Sequence, residues 1–432
     1  MAEPLKEYRV KRIPMRDTDT GVEYARYEYE RGDAQVFYYH SEALTADKRF
    51  LPHWSTVSGA WQIHVLDRER EVSLQLSRNA EFLADGPAHD IRRHRVYRIE
   101  DRRLCWTDYR TGETRWVYQL PERWWFSHIT VNEDFFVLAV HEDVTAGSVP
   151  DGAGVRPLAR TPPACTCPRS LLVGGGLDSD KAEAVWGDTS FLTHAVLTRG
   201  NNDWVVYADQ SARRLHMELF AIMRPLVNDK KPRRIFRAAP GGMNYVGHGF
   251  VTLDGHVACQ MREFLGVDAV HTYTDKCSYH AVARVDGTGY RRARFPGREK
   301  PIHSHGQRID NLWVADAWIR PDGTMDMDWL SVIRNRWECM DMEIRPFIRT
   351  NHHHRRPFHV HPWIAPDESE IVYSAAHEGR NHLFVAAVPA SFQSRNWAPL
   401  PPHLAPGRAY SSSDDGSNRA IRRSDEPRRD QP

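Results

Sequence analysis

The chain of 432 residues is 41% hydrophobic and 11% aromatic with 14 Trp, enough apolar material for a large core. Its 58 Lys+Arg against 57 Asp+Glu leave a net charge of +1, which argues against nucleic acid or an anionic membrane surface as partner. The charged start MAEPLKEYRVKRIPMRD lacks the apolar stretch of a secretion signal, no apolar run is long enough to span a bilayer, and the six irregularly spaced Cys read as reduced thiols, so a cytoplasmic location is expected.

In chain order, residues 1–30 read as an edge segment able to complete the last unit of a repeat. From about 33 to 400, short runs rich in β-branched and aromatic residues alternate with turn residues: VFYYH (36–40), WQIHVLD (61–67), LCWTDYRTGETRWVYQL (104–120), WVVYAD (204–209), EIVYSAA (370–376) and HLFVAAV (382–388). Their composition and length predict strands. Hairpin turns are expected at Asp67-Arg-Glu-Arg, Asp108-Tyr-Arg-Thr-Gly112 and Asp286-Gly-Thr-Gly289. A unit is expected at about 79–120, with His89 or His94 at its inner station. The Gly-, Pro- and Ser-rich stretch at about 145–185, including Gly174-Gly-Gly176, reads as an inserted flexible loop over one mouth of the fold. Residues 213–234 suit either strand or short helix. The segment 405–432 has almost no apolar residues and is expected to be a disordered tail.

A histidine recurs at one station of these units, just before an Asp-bearing turn. His40, His128, His194, His248, His305 and His361 are followed by Asp47, Asp134, Asp203, Asp254, Asp310 and Asp367. The steps between the histidines are 88, 66, 54, 57 and 56 residues, and the first is long enough to hide one more unit. Several strands per unit at this period predict an all-β fold, a seven-bladed β-propeller over residues 1–400. The innermost strand of each blade lines the central channel, so the recurring residues predict a ring of imidazoles there.

Two His-x-His pairs stand out, His303-Ser-His305 and His359-Val-His361. Residues i and i+2 of a strand share a face, so His305, His359 and His361 could meet at one divalent transition ion. The other reading is that the pairs are hydrogen-bonded polar residues filling the bore.

The stretch His359-Val-His361-Pro-Trp-Ile-Ala-Pro-Asp367, followed by EIVYSAAHEGRNHLFVAAVP, resembles the closing blade of the oligogalacturonate lyase family. Over residues 20–395, order and spacing are similar as well. The resemblance implies a seven-bladed propeller that cleaves short uronate oligomers by β-elimination with a divalent metal, most often manganese, held here by His305, His359 and His361. It implies that Val246-Gly-His248-Gly-Phe carries the base, and that Arg213 or Arg214 is the active-site Arg. The family has a metal-ligating Gln where this chain has Arg356. His303 or His354 could substitute as ligand, or Arg356 could bind a substrate carboxylate.

Elimination across C4–C5 of a uronate requires neutralisation of the carboxylate and a base of near-neutral pKa at C5, which suits a neutral His248. Tyr245 is the candidate donor to the leaving oxygen, while His40, His128 and His194 are expected to line the substrate path. Rivals are a lyase for a glucuronate- or rhamnose-glucuronate-containing glycan, and a non-catalytic sugar- or protein-binding propeller. No P-loop, dinucleotide fingerprint or Gly-x-Ser-x-Gly elbow occurs.

Overall fold

Short apolar runs separated by Asp- and Gly-rich turns pair with their neighbours in sequence, because tight hairpins close at small entropic cost. The computed structural model describes residues 4–80, 86–122, 124–142, 170–179, 181–188, 192–199, 204–209, 218–223, 232–236, 243–264, 266–267, 273–274, 277–297, 300–320, 322–350, 360–394 and 397. Among them, the 3-10 turn Ala390–Phe392 is the only helical element. No helix among the described residues is long and apolar enough to cross a membrane.

The described strands divide into seven four-stranded antiparallel units in succession, the first and last joined in one nine-stranded sheet and the fifth and sixth in one eight-stranded sheet. The first runs from Ala34–Val36 through Phe50–Ser55 and Gln62–Asp67 to Val72–Gln75, and the second from Ala88–Asp90 to Thr114–Gln119. The inner strands of the next four are Trp124–Val131, Leu192–Leu197, Met243–Val251 and Ser304–Gly306. The seventh unit contains Trp363–Ile364, Glu370–His377 and Arg380–Ala387, and its fourth strand is Glu23–Tyr29 from the other end of the chain. The preceding strand, Lys6–Arg16, pairs with Glu23–Tyr29 and also with Val72–Gln75, tying the first blade to the last. The amino-terminal segment therefore completes the last blade, as its edge-like sequence suggests.

Blades pack on each other through apolar faces. Tyr97, Leu104 and Trp106 of the second blade lie against Phe126, Ile129, Phe136 and Leu138 of the third in one buried cluster. Burying each such side chain contributes roughly 1.5–3 kcal/mol. The three expected hairpin turns each join the third and fourth strands of their blades. The Asp turns after the inner strands are held by their own carboxylates: Asp47 accepts the Arg49 N–H at 3.1 Å, and Asp367 the Ser369 N–H at 3.1 Å.

The structure corrects two expectations. Much of the expected loop is strand: Ser170–Gly176 and Glu183–Asp188 belong to the third blade. Gly174 and Gly175 are strand residues because Cβ atoms there would strike the Phe135 ring and the Lys181 carbonyl. In 213–234 the described elements are the strands Glu218–Met223 and Arg233–Arg234. The run 36–40 leaves its strand at Val36, and Phe37–His40 turn inward. The expected tail at 405–432 and the earlier part of the 145–185 insertion lie outside the described residues.

Candidate functional site: a histidine cluster on the propeller axis

Irregularities in the inner strands aim the recurring histidines. The pairing register shifts between Phe126 and Ile129, between Thr193 and Val196, and between Gly247 and Phe250, each gap containing the station histidine. His194, His248 and His361 have φ of 50°, 54° and 42°, a left-handed conformation uncommon for a residue with a side chain. Such bulges redirect a side chain that a regular strand would point elsewhere.

Residues from six different blades meet as a result, which can happen only at the axis. His128 and His194 have ring centroids 4.3 Å apart, with His40 at 5.5 and 5.6 Å from them. His194 is 6.1 Å from His248, His248 is 4.9 Å from His303, and His303 is 4.8 Å from His361. The Tyr38 ring fills the middle, 4.7–5.9 Å from His40, His128, His194, His303 and His361. The second blade does not contribute in this way. His89 lies on its inner strand but binds the Glu42 carbonyl and the Tyr109 hydroxyl, and His94 in the next turn binds the same hydroxyl.

Hydrogen bonds sort the imidazoles into donors and acceptors. A backbone N–H can only donate. The His194 N–H therefore makes Nδ1 of His128 an acceptor, at 3.3 Å, and puts the His128 proton on Nε2. Likewise the Ile364 N–H at 3.3 Å makes Nδ1 of His305 an acceptor. The His305 ring stacks on Trp363 at 6.0 Å and abuts Phe250 at 5.4 Å, and burial followed by the nearby Arg199 pushes its pKa down to about 3. His303 is the opposite case: its Nδ1–H donates to the buried Asp316 carboxylate at 2.6 Å. His248 hydrogen-bonds Gln260, and its buried Nδ1 has no partner among the described residues. Burial first, then His303, Lys300 and His194, holds its pKa well below the usual histidine value, so the ring is neutral.

Of the sequence-predicted residues, His40, His128, His194, His248 and His361 come together. His305 lies between blades, against Trp363. Arg213, Arg214, Arg356 and His359 are outside the described residues, and nothing is described of the Tyr245 side chain on Met243–Val251. Tyr38, His303, Asp316, Gln260 and Lys300 belong to the site without having been singled out as its main residues. The only signal in sequence was the pair 303/305, which does not say which of the two faces inward.

Imidazole is a donor type that divalent transition ions accept. His303 and His361 are adjacent, buried imidazoles, and His303 has its rear nitrogen held by a carboxylate, as metal-ligating histidines commonly do. Among the described residues no three His, Cys, Asp or Glu converge, so a complete shell needs a residue beyond them. The turn-side mouth is a depression of about 360 Å³ lined by Glu42, Lys48, Arg92, Glu133, Arg199 and Asp367. Its charges are compensated in pairs, Arg199 with Glu42, Lys48 with Asp367 and Arg92 with Glu133.

No family model matches the sequence, and no curated protein matches it. Solved structures do share the fold. One is an oligogalacturonate lyase in complex with manganese, at 17% identity and a TM-score of 0.71, covering 91% of this chain and all of that one. Another is an oligogalacturonate lyase from Vibrio parahaemolyticus, at 15% identity and a TM-score of 0.72, covering 90% of this chain and all of that one. The chain thus has the oligogalacturonate lyase fold over nearly its whole length.

Proposed function

We propose that this propeller is a lyase that cleaves uronate-containing oligosaccharides by β-elimination to 4,5-unsaturated products. The observation that carries the reading is His248, a neutral axial imidazole whose buried Nδ1 has no hydrogen-bond partner among the described residues. That nitrogen takes the C5 proton, the C4=C5 double bond forms, and the C4–O electrons leave with the glycosidic oxygen. Tyr245 is the candidate donor to that oxygen. His128 presents a fixed Nε2–H and, with His40 and His194, suits hydrogen-bonding to sugar oxygens.

A divalent ion, Mn2+ in the leading case, held by His303, His361 and His359, would neutralise the uronate carboxylate and so favour charge developing at C5. Within the pair 303/305 the ligand role goes to His303, because its ring lies 4.8 Å from that of His361 whereas the His305 ring stacks on Trp363. Arg213, Arg214 and Arg356 are the candidate partners of substrate carboxylates, through bidentate hydrogen bonds.

The test is a panel of galacturonate, glucuronate and rhamnose-glucuronate oligomers, with and without Mn2+, followed through the ultraviolet absorbance of the conjugated product. Growth of that absorbance on at least one uronide supports the reading. Sugar binding with no product on any member would replace it with a non-catalytic propeller. A response confined to glucuronate oligomers would support the other uronide class, consistent with Arg356 standing where related lyases carry Gln.

A further inference from the structure

Gln260 lies opposite Gly247, the last regular pair of the ladder before the bulge that turns His248 inward. It is buried, as are Lys300, Ser304 and His280 around it. An ammonium can only donate, so the Lys300 Nζ at 2.7 Å fixes the amide oxygen of Gln260 on its side. The amide nitrogen then faces Ser304 and donates to its Oγ at 2.9 Å. The single hydroxyl hydrogen of Ser304 goes to Nε2 of His280 at 2.9 Å, and the His280 Nδ1–H donates to the Asn335 oxygen at 2.9 Å. Every bond in this chain runs one way, from the cation outward. A half-turn of the Gln260 amide would set its NH2 against an ammonium, so the amide has one orientation.

His248 shares that amide. Its hydrogen bond to Gln260 favours the protonated ring, so the ring donates and the amide oxygen accepts, with one lone pair for Lys300 and one for His248. Nδ1 of His248 has no hydrogen-bond partner among the described residues, which makes Nε2–H the donor. We propose that Gln260, aimed by Lys300 and Ser304, is a positioning residue that holds the proton of His248 on Nε2 and so makes Nδ1 the nitrogen able to accept one. The role of His248 as base rests on the lyase reading, but its tautomer does not. When Nδ1 takes a proton the ring becomes a cation, and its Nε2–H bond to Gln260 becomes the stronger, charge-assisted kind. Gln260 therefore acts through His248.

The test compares wild type with Gln260→Met, which removes the acceptor at similar volume, and with Gln260→Glu, which keeps an acceptor between Lys300 and His248. In isotope-labelled protein, the His248 signals are assigned by their loss in His248→Gln. Their nitrogen shifts should report Nε2–H alone in wild type, and that proton should exchange slowly with solvent. Gln260→Glu should keep both features. Gln260→Met should admit the Nδ1–H tautomer and speed the exchange. On a cleaved uronide, kcat of Gln260→Met should fall about 10–100-fold with KM little changed, as expected for a lost hydrogen bond to a charged group. An Nδ1–H tautomer in wild type would overturn the proposal even if neither variant folds. So would wild-type shifts and exchange, or wild-type kcat, in a folded Gln260→Met protein. If wild type cleaves no uronide, the lyase reading fails, while the nitrogen shifts still decide the role of Gln260.

Discussion

Mild acid should destabilise this fold steeply, because several histidines outside the axial cluster are buried neutral with uncharged partners. His53 binds the Tyr29 hydroxyl and the Leu51 carbonyl, and burial holds its pKa down to about 4. His141 lies between Ser127 and Ser170, His280 between Asn335 and Ser304, and His89 between Glu42 and Tyr109, all three pushed down to about 3 by burial. In the unfolded chain each titrates near 6.5. As pH falls below that value, protons bind the unfolded state first, so stability is complete above about pH 6.5 and is lost progressively toward the folded pKa.

From pH 7 to pH 5 each such ring costs about 2 kcal/mol, and the four together on the order of 8 kcal/mol, comparable to the whole stability of a typical domain. Urea denaturation followed by Trp fluorescence should show the midpoint falling sharply across this interval. His280→Gln should show a pH dependence smaller by about 2 kcal/mol. Free energies at pH 5 and pH 7 that agree within about 1 kcal/mol would refute the claim that these rings stay neutral in the folded state.

His248→Gln should lower turnover about 10²–10⁴-fold on a confirmed uronide while leaving Mn2+ content unchanged; near wild-type turnover would remove His248 as the base. His303→Gln should abolish most Mn2+ binding, whereas His305→Gln should not, and elemental analysis of the purified variants reads both; the reverse outcome would return the ligand role to His305. Gly306→Ala should cost about 1–3 kcal/mol in denaturant unfolding, since a Cβ there would run into the Trp313 indole, and an unchanged midpoint would count against that packing.

The propeller was legible in the sequence because its determinants are local. Short runs rich in β-branched and aromatic residues, Asp turns and a histidine returning about every 55 residues repeat without any knowledge of contacts. The same pattern placed His128, His194 and His248 on inner strands, and the edge-like amino terminus against the last blade. Gly174-Gly-Gly176 misled because glycine marks a flexible loop and a close backbone approach equally well; only the neighbouring Phe135 and Lys181 distinguish them.

The site was legible as a residue type at a station, not as a geometry. Period-two reasoning puts His303 and His305 on one face, yet the strand begins at Ser304, and their partners come from elsewhere in the chain. Asp316 reaches His303 from the next strand and Ile364 reaches His305 from the next blade. Tyr38 sits at the axis because the chain leaves its strand after Val36. Composition and spacing told of an all-β repeat rich in imidazole, since those are properties of neighbours along the chain. Which ring nitrogen donates and which accepts depends on groups 13 to 66 residues apart, and was decided when the blades closed around the axis.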